Sequence, residues 1–127
     1  MKTALAVFAA LSISIYADPS RIVEGGYKAY SARDVVDGYA KNELAMETVE
    51  GKPFWVYGKV EKLGRDPDNK PYLLLEARDQ LGAVKCLFAE SDVAQLRELL
   101  GRQVVVRGIL RGSTLGIATM TECRFTK

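Results

Sequence analysis

Apolar and polar residues alternate along five stretches of the chain. In the first stretch Phe54, Val56 and Val60 fall on one face, while Trp55 and Tyr57 fall on the other. Successive side chains of a strand point to opposite faces of a sheet, so the alternation predicts strands with one buried face. The predicted strands cover residues 53–64, 71–78, 83–89, 103–111 and 115–125, and helical spacing predicts a helix over residues 91–100.

Turn-forming residues separate these strands. Residues 64–70 are rich in Gly, Asp, Pro and Asn, and further turns are predicted at 80–82 and 112–114. Ser91 is placed to cap the helix, Val93, Leu96 and Leu100 would form its buried side, and Gly101 would end it. The first strand needs a bend to pass through both halves of a small sheet, and Gly58 is predicted to supply it.

A second helix is predicted before the first strand. Ser31 followed by Asp34 approximates a capping box, and Val35 and Tyr39 lie four residues apart on one helical face. We expect this helix to end near residue 42, or to continue irregularly to about 48, and to dock on the outside of the strands. There it would cover Trp55; the alternative is an exposed Trp55 that stacks on a ligand.

The order of these elements, three strands, a helix and two strands, is that of an OB-fold, a five-stranded Greek-key barrel. The sequence therefore predicts a mainly β (α+β) domain over residues 31–127, with an N-terminal helix and a helix between strands three and four. Such a barrel is a binding scaffold whose function lies in its loops and one sheet face. The fold by itself therefore names no ligand.

Residues 1–17 have the pattern of a secretory signal peptide. Lys2 gives a basic start, residues 4–15 are apolar or small, and Ala17 precedes polar residues. The apolar run is too short to span a bilayer. We expect cleavage after Ala17 and a soluble periplasmic or secreted product, with residues 18–30 as a flexible lead-in. No cysteine lies near the cleavage site, so we expect no lipid anchor.

The composition argues against several functions. Without residues 1–17 the chain keeps 17 basic and 16 acidic residues and a net charge of +1, which is no signal for binding polyanions. The chain has no histidine, the commonest general base, so we expect no enzyme activity. Two cysteines without histidine do not supply a tetrahedral zinc site, and residues 66–70 lack the glycine of a calcium loop. We expect neither metal nor cofactor.

Several short motifs together resemble the tRNA_anti-like family of small OB-fold lipoproteins. The resemblance covers residues 30–125 and implies an extracytoplasmic OB barrel with an N-terminal helix and no established activity. The absence of a lipobox cysteine departs from the lipoprotein pattern. The matching positions are 31–34 (Ser-Ala-Arg-Asp), 39, 42–43, 51–52, 56–60 (Val-Tyr-Gly-Lys-Val), 71–72, 84–88 (Val-Lys-Cys-Leu-Phe), 101–108 and 122–123.

The two cysteines, Cys86 and Cys123, are predicted to form a disulfide. In an exported chain an even pair without a metal motif is usually bonded, and the resemblance implies that strands three and five are neighbours. Two buried free thiols are the alternative, since cysteine also packs as a small apolar residue.

The candidate ligand-binding residues lie in or beside predicted loops, where OB-folds bind their ligands. We expect a non-catalytic, extracytoplasmic binding or assembly module for a protein, peptide or glycan. The alternative is a binder of single-stranded nucleic acid, which would need a basic groove and exposed aromatic rings. The outer faces of strands two and three offer one such ring. The candidate residues are Arg65, Asp66, Asn69, Lys70 and Tyr72 after the first strand, and Arg111, Ser113 and Thr114 after the fourth.

Overall fold

The computed structural model of the chain describes residues 21–22, 27–77 and 82–126. The strands are β1 (Arg21–Ile22), β2 (Lys28–Ser31), β3 (Pro53–Arg65), β4 (Pro71–Glu76), β5 (Ala83–Leu87), β6 (Gln103–Thr114) and β7 (Ile117–Phe125). The helices are α1 (Ala32–Lys41), α2 (Glu43–Glu47) and α3 (Val93–Leu96), and a 3-10 turn (Glu90–Asp92) precedes α3. The described part is mainly β, and β3 to β7 confirm the five predicted strands. The predicted signal peptide and residues 80–81 of a predicted turn lie outside it.

Five strands close into a ring. The order is β3-β4-β5-β7-β6, and β6 also pairs with β3. β3 is long enough to close the ring because its first half pairs with β6 and its second half with β4. The register of β3 shifts between Val60 and Lys62, so the strand bends there and not at Gly58 as predicted. At Gly58 a Cβ would lie 3.3 Å from the Cβ atoms of Ala32 and Leu75, so glycine allows a close approach.

The core fills the inside of this ring. Phe54, Val56 and Val60 of β3 belong to it, as the alternation predicts. Between the register shifts each strand contributes alternate residues, because the side chains point in turn to the inside and the outside of the ring. The largest side chains with less than 2% exposure are Leu73, Leu75, Leu110, Met120, Val35, Val56, Val60, Val84, Val106 and Cys86.

Helix α1 contributes to this core, and the predicted docking on the outside is wrong. Ser31 caps the helix as predicted, since its hydroxyl accepts a hydrogen bond from the Asp34 N–H at 2.9 Å. Ala32, Val35 and Val36 belong to the core cluster, and α1 contacts β3, β4, β5 and β7. A helix that touches four of the five ring strands with its apolar side closes one end of the ring.

A hydrogen bond ties α1 to the segment before β3. The Tyr39 hydroxyl donates to Glu50 Oε2 at 2.5 Å. Burial, together with this bond and the nearby carboxylates, raises the pKa of Tyr39 above its usual value. The Tyr39 hydroxyl therefore stays protonated, and can donate this hydrogen bond, at physiological pH.

The helix between β5 and β6 is shorter than predicted. Leu96 is buried as expected, but Leu100 is 63% exposed. After Leu96 the chain turns more tightly, with the Leu99 N–H bonded to Leu96 O, and Gly101 takes φ +81° where the segment ends. Leu100 therefore does not belong to the buried side of this helix, although the sequence predicted it there.

The turn between β6 and β7 lies later than predicted. β6 continues through Thr114, and the turn is formed by Leu115 and Gly116 at φ +53° and +83°. Such φ values suit a two-residue hairpin, in which glycine is favoured and leucine is unusual. The polar residues 112–114, which had indicated a turn, belong to the strand.

The expected flexible lead-in contains strand structure. β2 pairs in parallel with β3, with Ala29 opposite Trp55 and Ser31 opposite Tyr57, and β1 pairs with β2. β2 occupies the part of the β3 edge that β4 leaves open. The expectation is therefore corrected at residues 28–30, while residues 18–20 and 23–26 of the lead-in lie outside the described part.

Candidate functional site

The loop between β3 and β4 is held by its own side chains. Asp66 Oδ1 accepts hydrogen bonds from the N–H groups of Asp68 at 2.9 Å and Lys70 at 2.8 Å. Asn69 takes φ +65°, a conformation that asparagine tolerates better than most residues. Asp66 and Asn69, both predicted to bind a ligand, therefore shape the loop.

Arg65 is also engaged within the protein. Its guanidinium makes two 2.8 Å bonds to the Glu90 carboxylate and donates to Asn69 O at 2.9 Å. The paired geometry joins the β3–β4 loop to the 3-10 turn. A ligand would have to compete with Glu90 for this group.

The hydrogen bonds from Arg65 hold the pKa of Glu90 below its usual value. A depressed pKa in the folded state means that the pair adds stability at neutral pH and loses it as the pH falls through that pKa. Arg65→Gln should return the pKa of Glu90 toward its ordinary value, as measured by NMR titration of the carboxyl carbon. Arg97→Gln, which removes a weaker influence on Glu90, should move this pKa less; an equal shift in both variants would contradict the assignment.

Tyr72 lies on the outer side of β4, but its ring is covered. It is 9% exposed and packs across the strand pair onto Gly64, where a Cβ would lie 2.9 Å from the Tyr72 hydroxyl oxygen. The Lys85 ammonium lies 4.8 Å from the centre of the ring. The Tyr72 ring, which was predicted to contact a ligand, is therefore not free to stack on one.

The second group of predicted residues belongs to β6 and not to a loop. Arg111 donates from Nε to Thr121 Oγ1 at 2.8 Å and approaches the Glu122 carboxylate at 3.4 Å. Ser113 and Thr114 pair with the beginning of β7. Arg111 thus holds β7 in place.

Arg65 and Thr114, one from each predicted group, lie at opposite ends of β4. Arg65 is opposite Pro71, where β4 begins. Thr114 is opposite Ile117, which neighbours Ala83 beside the last residue of β4. β4 has six residues, so these ends are roughly 17 Å apart at about 3.3 Å per residue. Arg65 and Thr114 therefore do not form one compact site.

Between these ends lies the outer face of β4, β5 and β7, called the β4–β5–β7 face below. Leu74 lies opposite Lys85, and Lys85 opposite Thr119. Leu74 and Leu87 are half-buried, and Ile117 is 37% exposed. Ile117 was not among the predicted site residues, although the alternation along β7 would have placed it on this face.

Trp55 is shielded, but not by α1 as predicted. Its ring stacks on Tyr27 at a centroid distance of 4.5 Å, and the Arg107 guanidinium lies 5.4 Å from its centre. Trp55 is 6% exposed, whereas Tyr27 is 57% exposed. Neither Tyr27 nor Arg107 was predicted as its partner.

Cys86 and Cys123 are both buried free thiols in this structure, so the predicted disulfide is not formed in it. Burial, followed by hydrogen bonding to Cys123, raises the pKa of Cys86 well above its usual value. Among the described residues no group of three or more His, Cys, Asp or Glu side chains is placed to hold a metal ion. No helix in those ranges is long and apolar enough to cross a bilayer.

Comparisons with known proteins show similarity at the level of structure. No family model and no curated protein matches the chain. A candidate nucleic acid-binding lipoprotein from Klebsiella pneumoniae is 16% identical, with a TM-score of 0.57, over 78% of this chain and 92% of that protein. The two proteins share a fold. An OBody bound to hen egg-white lysozyme is 21% identical, with a TM-score of 0.43, over 61% of this chain and 84% of that one.

Proposed function

We propose that the chain is a non-catalytic, extracytoplasmic binding module that holds a protein or peptide segment on the β4–β5–β7 face. The observation that carries the proposal is the contrast between this face and the loops. The face has apolar side chains that are exposed or half-buried, whereas Arg65, Asp66 and Arg111 already bond to the protein itself.

The ring supports an OB-fold barrel as the scaffold. Five strands in the order β3-β4-β5-β7-β6, closed by β3–β6, match the strand pairing of that fold. Membership of the tRNA_anti-like family is part of the same proposal. Export is supported by the signal-like residues 1–17 and by the fold shared with the Klebsiella lipoprotein.

The chemistry of the face favours a protein or peptide partner. Leu74, Leu87 and Ile117 supply apolar contact, and Lys85 is the cation among them. Protein interfaces combine an apolar centre with few charges in this way. Nucleic acid would need exposed rings for stacking, and Tyr72 is covered by Lys85. The absence of histidine supports a non-catalytic role.

Nucleic acid binding is the second candidate. The Klebsiella protein with the same fold is described as a candidate nucleic acid-binding lipoprotein. Binding of this kind would depend steeply on salt, because phosphate contacts release counterions.

A matched pair of variants tests the proposal. Leu74→Asp places a charge on the β4–β5–β7 face, and Leu100→Asp places the same charge on an exposed leucine elsewhere. Wild type and Leu100→Asp should capture a partner by crosslinking in extracytoplasmic extract, and Leu74→Asp should lose it. Urea unfolding checks that both variants fold. Equal capture by all three proteins, or salt-dependent binding of a single-stranded oligonucleotide that Leu74→Asp leaves unchanged, would overturn it.

A further inference from the structure

Two cysteine side chains face each other inside the ring, on the neighbouring strands β5 and β7. Cys86 is fully buried and Cys123 is 5% exposed. The two thiols are close enough to share a hydrogen bond, and no bond joins the sulfur atoms. They are thus a facing pair within the core.

A one-residue bulge in β7 turns Cys123 inward. The register of β6 against β7 shifts between Arg107 and Ile109, so Glu122 and Cys123 together face the single residue Gly108. Glu122 takes φ +54°, in the left-handed region. Bulges of this kind redirect the side chain that follows. Regular alternation along β7 would have pointed Cys123 outward.

The packing around the two thiols holds Cys123 close to Cys86. Cys123 Sγ lies 2.8 Å from the position that a Cβ would take at Gly108, so a larger residue there would push the sulfur away. Phe88 and Phe125, each two residues beyond one of the cysteines, stack at 4.6 Å. The ends of β5 and β7 therefore remain in contact beyond the bulge.

The same packing blocks chemistry at the thiols in the native protein. Disulfide exchange requires a thiolate and access of the oxidant to the sulfur. Burial disfavours the thiolate of Cys86, whose pKa lies above its usual value. A dissolved oxidant therefore reaches the pair only when the packing around the two thiols opens.

We infer that Cys86 and Cys123 form a disulfide while the chain folds, before β7 closes the ring beside β5, and that the closed ring then protects the bond. The inference does not depend on which partner the β4–β5–β7 face binds. It makes the cysteine pair a covalent link between β5 and β7, the parallel strand pair of the ring.

The chemistry balances with an external disulfide as oxidant, either a small-molecule disulfide or the disulfide of an oxidising protein. The thiolate of one cysteine attacks the oxidant, which forms a mixed disulfide and releases one thiol. The second cysteine then attacks the mixed disulfide, forms the Cys86–Cys123 bond and releases the second thiol. Two electrons and two protons pass from the cysteines to the oxidant.

Refolding of the wild-type chain tests the order of events. Reduced, urea-unfolded protein is refolded in oxidised glutathione, and in parallel the same oxidant is added to native reduced protein. The refolded chain should be monomeric and lighter by two hydrogen atoms, with no titratable thiol. The native protein should oxidise at least about tenfold more slowly. The oxidised form should also have an unfolding equilibrium constant about a hundredfold lower.

Two variants serve as controls. Cys86→Ala and Cys123→Ala each leave one thiol and should not lose two hydrogen atoms as monomers under the same conditions. Refolded wild type that keeps two thiols, or that forms intermolecular bonds instead, would overturn the inference. Equal oxidation rates for native and unfolded protein would overturn the proposed order.

Discussion

Val35→Asn should lower the free energy of unfolding by about 2.5 to 6 kcal/mol. Val35 is 1% exposed within the core that α1 shares with the ring. The change loses about 1.5 to 3 kcal/mol of apolar burial and adds an amide without a partner, which costs about 1 to 3 kcal/mol more. Urea unfolding, followed by circular dichroism, measures the difference from the wild-type protein.

Ala40→Asn is the matched control, because Ala40 lies on the exposed side of the same helix. Its loss should stay below about 1 kcal/mol, the difference in helix propensity between alanine and asparagine. If the apolar side of α1 were not buried, the two variants would lose similar amounts. Similar losses would therefore contradict the burial of Val35 in the core.

Trp55→Ala should cost about 3 to 5 kcal/mol, as expected when a large buried side chain is removed. The indole N–H of Trp55 has no hydrogen-bond partner among the described residues. Trp55→Phe therefore removes no hydrogen bond and should cost much less than Trp55→Ala. The difference between the two variants then reports the loss of buried volume. Urea midpoints of the two variants check this expectation.

Tyr27→Ala should uncover the indole with a smaller loss of stability. Trp55 is the sole tryptophan, so its emission should shift to the red and become open to iodide quenching. Tyr30→Ala is the control, because Tyr30 stacks on Phe54 and not on Trp55. Wild-type emission that is already red-shifted and easily quenched would contradict the shielding.

The alternation of side chains could predict the ring strands because their inner faces are continuously apolar. The place of α1 could not be predicted in the same way. Val35 and Val36 indicate that one side of the helix is buried, but a helical pattern does not say against which surface. The strand β2 has four residues, of which two face solvent, and such a short pattern is weak evidence.

The candidate site was harder to predict from the sequence than the fold. Polar residues such as Asp66 and Arg111 occur both in ligand sites and at positions where they bond within the protein. Only the three-dimensional arrangement distinguishes the two cases. The inward position of Cys123 on β7 depends on a bulge at Glu122, which a strict two-residue period does not anticipate.

The parallel strand β2 has a consequence for self-association. β4 covers the second half of one β3 edge, and β2 covers residues 55–57 of the first half. Uncovered strand edges offer unpaired N–H and C=O groups to other chains. Among the described strands the outermost is β1, whose two residues are too short to template a stable intermolecular sheet. Strands β1 and β2 thus leave little open strand edge for edge-to-edge aggregation.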